Sequence, residues 1–198
     1  MNSQPATLYD RICVFSASRR ALAIAFLWGL AEATVFFFVP DIYLGLVALF
    51  NWRKGLLSTI FVVAGAIIGG TIMYGLSANN GTAMNRLLTS IPLIHLDMVD
   101  FVREQIRMNG LNALFSGLFQ GIPYKIYAVQ AGAQGLGLLP FLLFTIPARL
   151  ARILPVALVG SIVGVVFRRY VQRNTSLVIG VYIAIWAFIY MLYYFRFR

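Results

Sequence analysis

Long apolar stretches dominate this sequence, and two of them are interrupted at places where a membrane helix should not be. Stretch 21–50 is broken by Val39-Pro40-Asp41. Stretch 111–137 is broken by Gln120-Gly121-Ile122-Pro123-Tyr124-Lys125 and again by glycines at 132, 135 and 137. Stretches 55–77 and 176–195 run clean, while 138–167 carries Pro140, Pro147, Pro155 and two arginines. A spanning helix takes about 20 apolar residues. Irregular backbone at membrane depth is tolerated only where it is buried in protein or lines a cavity. The pattern therefore predicts an all-α polytopic membrane protein whose two breaks are covered by the rest of the chain. Composition agrees: the chain is 61% hydrophobic and 11% charged, against about 45–50% apolar and about 25% charged in soluble domains.

The net charge is +10, from 16 Lys+Arg against 6 Asp+Glu. In a soluble protein that balance would suggest nucleic acid. Here Arg19, Arg20, Arg53, Lys54, Arg168, Arg169 and Arg173 flank apolar runs, as the positive-inside rule and anionic lipid surfaces require. No basic-aromatic soluble module is present, so no nucleic-acid partner is expected. Ser18-Arg19-Arg20 before an apolar run resembles a signal peptide, but the run continues past Ala31-Glu32-Ala33 without a polar mature segment, and the segment is expected to stay. The single cysteine, Cys13, excludes a disulfide framework and a cysteine-ligated metal. No nucleophile–base pair, zinc pattern, phosphate loop or nucleotide fingerprint appears, so neither catalysis nor a cofactor is expected.

The chain divides into a short N-terminal cytoplasmic segment, 1–20, and one membrane domain, 21–198. Within the domain a first half, 21–78, and a second half, 111–198, flank a polar, interfacial connector, 79–110. In that connector Asp97 is placed to cap a short helix ending at Gly110, with Met98, Phe101, Val102 and Ile106 on one face. Asp100 with Arg103 and Glu104 with Arg107 are spaced as i,i+3 pairs on the wet side. His95 beside these acids is read as solvated, with no metal role. Trp186, Tyr190, Tyr193 and Tyr194 form a belt suited to a membrane interface.

Local text repeats between the halves: Pro40-Asp41-Ile42-Tyr43 in one, Pro123-Tyr124-Lys125-Ile126-Tyr127 in the other. Broken helices in corresponding positions of two halves are the mark of transporters built from internal repeats. If both breaks are re-entrant, with Pro40 and Pro123 at the hairpin tips, the two hairpins enter from opposite faces as an inverted repeat. The seven flanking basic residues then fall on one side and the charge-balanced connector on the other. Only Arg196 and Arg198 sit against the rule.

Five charges lie within the apolar stretches: Glu32, Asp41, Lys125, Arg149 and Arg152. One charge at mid-bilayer costs about 2.5–3.5 kcal/mol on insertion scales, so five imply pairing or a water-filled cavity. The set is +3 against −2. An anionic headgroup would complete the balance, and phosphate suits paired arginines by geometry as well as charge. A purely structural salt-bridge set is the competing reading.

At these residues the sequence resembles the DedA family (the VTT or SNARE-associated domain), in its YqaA-like branch. The features that carry the resemblance are Glu32 followed by Phe36-Phe37-Phe38 and Pro40-Asp41, and then Gly65 to Gly75 with Tyr74. They continue in Ile122-Pro123-Tyr124-Lys125 with Ala131-Gly132, and in Arg149-Leu150-Ala151-Arg152. It covers roughly residues 20–170. The resemblance implies an acid pair at Glu32 and Asp41, an arginine pair at Arg149 and Arg152, and the Pro-x-Lys of that branch at Pro123 and Lys125. It further implies opposed re-entrant hairpins and flipping or scrambling of undecaprenyl phosphate or a phospholipid, driven by the proton-motive force. The chain departs from other members in lacking a glycine after the proline and in carrying lysine where arginine is usual.

The expected function is thus a multi-pass lipid transporter of the cytoplasmic (inner) membrane, with membrane lipids and protons as partners and a homo-oligomer left open. Lys125, Arg149 and Arg152 are expected to bind the headgroup. Glu32 or Asp41 is expected to carry the coupling proton, with Glu32 favoured because Asp41 is expected to face Lys125. The alternatives are a proton- or ion-coupled transporter of a small solute, or a non-transporting membrane scaffold.

Overall fold

The computed structural model describes residues 7–196, with the side chains of 118 and 119 also outside the description; the expectation for Arg198 therefore lies outside the described residues. All regular structure in that range is helical. The first half comprises α1 (Leu8–Ala17), α2 (Arg19–Thr34), α3 (Asp41–Phe50) and α4 (Trp52–Asn79). The connector holds α5 (Gly81–Ser90) and α6 (Leu96–Asn109). The second half comprises α7 (Ala113–Gln120), α8 (Tyr124–Ala133), α9 (Leu138–Val166), α10 (Arg168–Arg173) and α11 (Thr175–Arg196).

Short polar residues set the boundaries. Thr7 and Asp10 form a reciprocal capping box on α1, Ser18 caps α2, Asn51 caps α4 and Asn80 caps α5, each satisfying amides that a helix start leaves without partners. The chain bends by 69° between α1 and α2. Among the described residues three helices, α4, α9 and α11, are long and apolar enough to cross a membrane, or four spans if α1 and α2 count as one. α9 stays helical through Pro147 and Pro155. The helices on either side of each break are short. α2, with 16 residues, is about 24 Å long and α3 and α8, with 10 each, about 15 Å, against a hydrocarbon core of about 30 Å.

Glycines set the close approaches. In α4, Gly65 lies against Phe26 and Leu30, and Gly69 against Leu30 and Ala33; Gly29 of α2 lies against Val62. Positions rise together along both helices, so α2 and α4 run parallel and α3 returns between them, with Ala48 against Gly55. α8 runs parallel to α4 as well, from Tyr124 at Gly70 to Ala133 at Gly81. α9 runs the other way: its Phe141 stacks on Tyr74, and its Gly160 and Gly164 lie against Gly45 and Leu49 of α3.

Several expectations for the connector and termini change. α5 was not foreseen, and α1 gives the N-terminal segment a helix. His95, without a side-chain bond, occupies the position before α6, and Asp97 sits inside its first turn. The buried face of α6 is Met98, Val99, Val102 and Ile106, while Phe101 is exposed: the face is centred on the Val99 side of the Met98–Val102–Ile106 row, which turns Phe101 outward. Both surface pairs form, Arg103–Asp100 at 2.5 Å and Arg107–Glu104 at 2.8 Å.

Candidate functional site

The five charges come together from four different helices. Arg149 of α9 donates to Glu32 of α2 at 2.5 Å, with both side chains 3% exposed. One turn further along α9, Arg152 donates to Asp41, the first residue of α3, at 3.2 Å. Lys125 of α8 is fully enclosed, and its ammonium donates to the backbone carbonyl of Phe36 at 2.8 Å. The expected pairing of Asp41 with Lys125 is not formed. Asp41 is taken by Arg152, and among the described residues Lys125 has no acid within ion-pair distance.

The first break, 35–40, shows how irregular backbone is made tolerable at depth. Three of its backbone polar groups are satisfied by side chains from three helices. The Phe36 carbonyl accepts from Lys125, the Phe38 carbonyl from the indole of Trp28 at 3.1 Å, and the Val39 amide donates to the Tyr190 hydroxyl at 2.8 Å. Tyr182 donates to the Ile42 carbonyl at 2.8 Å. In the second break Gly121 takes φ 73°, a left-handed conformation that costs a glycine nothing, and Pro123 then starts α8. The hydrogen bond from Lys125 to Phe36 joins the two breaks.

A cavity of about 300 Å³ lies over this meeting point. Glu32, Asp41, Lys125 and Arg152 reach its wall, together with Pro123. Arg149 does not: it lies behind, its guanidinium 4.8 Å from the Tyr124 ring, with Nε and one Nη lacking hydrogen-bond partners. The sequence-level group of three headgroup cations is thus divided into two that face the cavity and one that clamps Glu32. Asp41 also keeps one buried carboxylate oxygen, Oδ1, without a partner.

Two wall segments were not foreseen. Trp186, Tyr190 and Tyr193 of α11 line the cavity, although their aromatic spacing reads as an interface belt. Pro92, Leu93 and Ile94 of the connector close another side, with Leu93 held at φ 66°, a strained value for a residue with a branched side chain. The i,i+3 and i,i+4 spacing along α11 could have flagged the first; no local signal marks the second.

Arrangement and composition define a helical, multi-pass membrane protein with a charge cluster buried between its two broken segments. No family model matches the sequence, and no solved structure matches it. An uncharacterized protein of Haemophilus influenzae (strain ATCC 51907 / DSM 11121 / KW20 / Rd) is similar, with 23% identity over 185 residues covering 87% of this chain and 88% of that protein.

Proposed function

We propose that this protein is a lipid transporter of the cytoplasmic membrane, of the DedA type, that moves a phosphate-bearing headgroup such as that of undecaprenyl phosphate or a phospholipid. The observation that carries the proposal is the cavity-facing pair Lys125 and Arg152, of which Lys125 is balanced by a carbonyl and not by an acid. The acid of the cluster that acts on Lys125, Glu32, is already in contact with Arg149, so three cations share two acids; burying such an imbalance is costly, and a phosphate oxygen in the cavity offsets that cost.

Re-entrant, inverted hairpins fit the helix directions. α2 and α3 form one hairpin, with Pro40 at its tip, that enters and leaves beside Arg19, Arg20 and Arg53. α7 and α8 form the other, with Pro123 at its tip, entering from the connector side. That leaves the seven flanking basic residues on the cytoplasmic face.

For proton coupling the geometry favours Asp41 over Glu32. Glu32 is held by Arg149 at 2.5 Å, whereas Asp41 holds a longer bond to Arg152 and keeps its other carboxylate oxygen without a hydrogen-bond partner. A phosphate drawing Arg152 away would leave Asp41 to take a proton, and its departure would restore the pair and release the proton.

Reconstitution into liposomes with labelled polyprenyl phosphate and labelled phospholipids tests the function. Transport by the wild type, lost in Lys125→Gln, is expected; equal transport by Lys125→Gln would remove the headgroup role. Under an imposed pH gradient, Asp41→Asn should lose the gradient dependence that Glu32→Gln retains.

A further inference from the structure

A second concavity of about 480 Å³ lies between α3, α9 and α11, and its lining is almost wholly apolar. Its floor is glycine: Gly160 of α9 approaches Gly45 of α3 so closely that an added Cβ would stand 2.7 Å from the Gly45 carbonyl oxygen. The one hydroxyl in its wall, that of Tyr182, is spent on the backbone carbonyl of Ile42. Trp186 belongs to the walls of both this groove and the charged cavity.

One stripe of α11 reads across the two. Val178, Val181, Tyr182 and Ile185 face the groove, and Trp186, Ile189, Tyr190 and Tyr193 face the cavity, with the three-and-one spacing of a single helix face. From Val178 to Tyr193 this face is about 22 Å long. Toward the basic end it carries Val178, Val181 and Ile185 with one phenol, Tyr182, whose hydroxyl is turned to the Ile42 backbone; toward the connector end it carries Trp186, Tyr190 and Tyr193. That is the polarity of a lipid molecule. Hydrocarbon gains no free energy by leaving one apolar medium for another, so the groove would select by shape and by continuity with the cavity.

We infer that the groove between α3, α9 and α11 holds the hydrocarbon chain of a lipid whose phosphate occupies the cavity of Lys125 and Arg152, with Trp186 at the junction. The inference rests on the proposed phosphate-lipid function. It also fixes the orientation: headgroup toward the connector face and chain toward the basic face, as in a lipid of the leaflet opposite the basic ring.

The test uses two probes with one headgroup, hexadecyl phosphate and hexyl phosphate, with hexadecanol as the uncharged chain. Binding to the full-length protein in one detergent is read by native mass spectrometry, as the ratio of variant to wild type. Val159 and Val181 line the groove and are at least half exposed, so Val159→Phe with Val181→Phe fills it without touching the packed core. Ile183→Phe, on the exposed outer side of α11, is the control. Groove filling should weaken hexadecyl phosphate about tenfold and leave hexyl phosphate unchanged, while the control changes neither. Undiminished hexadecyl phosphate binding in the filled variant would overturn the groove assignment alone. A wild type that binds neither phosphate, or binds hexadecanol as tightly as hexadecyl phosphate, would overturn the phosphate-lipid function and the groove with it.

Discussion

The α2–α4 interface and α11 are both built from apolar helices, yet they pack in opposite ways. Between α2 and α4, Gly29, Gly65 and Gly69 bring backbone against backbone. Along α11 only Thr175 is buried, and Gly180 has open space where its side chain would be. Tyr182 and Tyr190 fasten that helix through hydroxyls to the backbone around the first break. In lipid there is no hydrophobic drive to press helices together, so closeness has to come from small residues and polar bonds. Where glycine is dense the molecule is sealed. Where tyrosine hydroxyls replace it, both cavities open.

The sharpest way to break this contrast is to place the same bulk on each side. Gly65→Leu should abolish the monodisperse folded species in detergent, because its Cβ meets the Phe26 carbonyl and the helices cannot separate without losing the interface. Gly180→Leu should give wild-type yield and melting temperature. Equal damage from both would mean that α11 is packed as tightly as α4.

The two ion pairs carry the same contrast into the cluster. Removing Arg149 strands a fully enclosed Glu32, a change that costs about 3–5 kcal/mol in comparable buried pairs, so Arg149→Leu should lower the melting temperature strongly. Arg152 is 26% exposed and its pair opens on the cavity, so Arg152→Leu should cost clearly less stability while removing transport. Thermal unfolding beside liposome transport separates the two roles.

Lys125→Gln should dissociate stability from activity in the other direction. Removing a buried cation without an acid partner is expected to leave the melting temperature unchanged or higher, even as transport falls. A large loss of stability would mark Lys125 as structural. The smallest effect belongs to Tyr190→Phe, which removes one hydrogen bond to the Val39 amide. At about 0.6 kcal/mol for an average interhelical bond in a membrane protein, the fold should survive. Faster hydrogen exchange around Val39 is the expected readout.

Much of the site was legible in the sequence. Charges are so costly in hydrocarbon that Glu32, Asp41, Lys125, Arg149 and Arg152 call for pairing or a wet cavity, and the spacing of Arg149 and Arg152 put them on one helix face. The clean spans follow from length and apolarity, and the breaks at Pro40 and Pro123 from proline chemistry. The partners were another matter. Asp41 shares its cluster with three cations, and only the packing of α3 on α9 decides for Arg152. The aromatic residues of α11 satisfy the pattern of an interface belt and of a cavity wall equally well, since both ask for an apolar ring with a polar tip.

The sequence alone determined that this chain is helical and multi-pass and that its five stray charges must be paired or wetted around two broken segments, because long apolar runs suit spanning helices and isolated charges are costly in hydrocarbon. Tertiary structure decided which acid holds which base, which cation stays uncompensated and which helix stands loosely enough to leave a groove. Those outcomes depend on close backbone approaches at glycines such as Gly65, Gly69 and Gly160, made by segments far apart in the chain, and no local pattern encodes them.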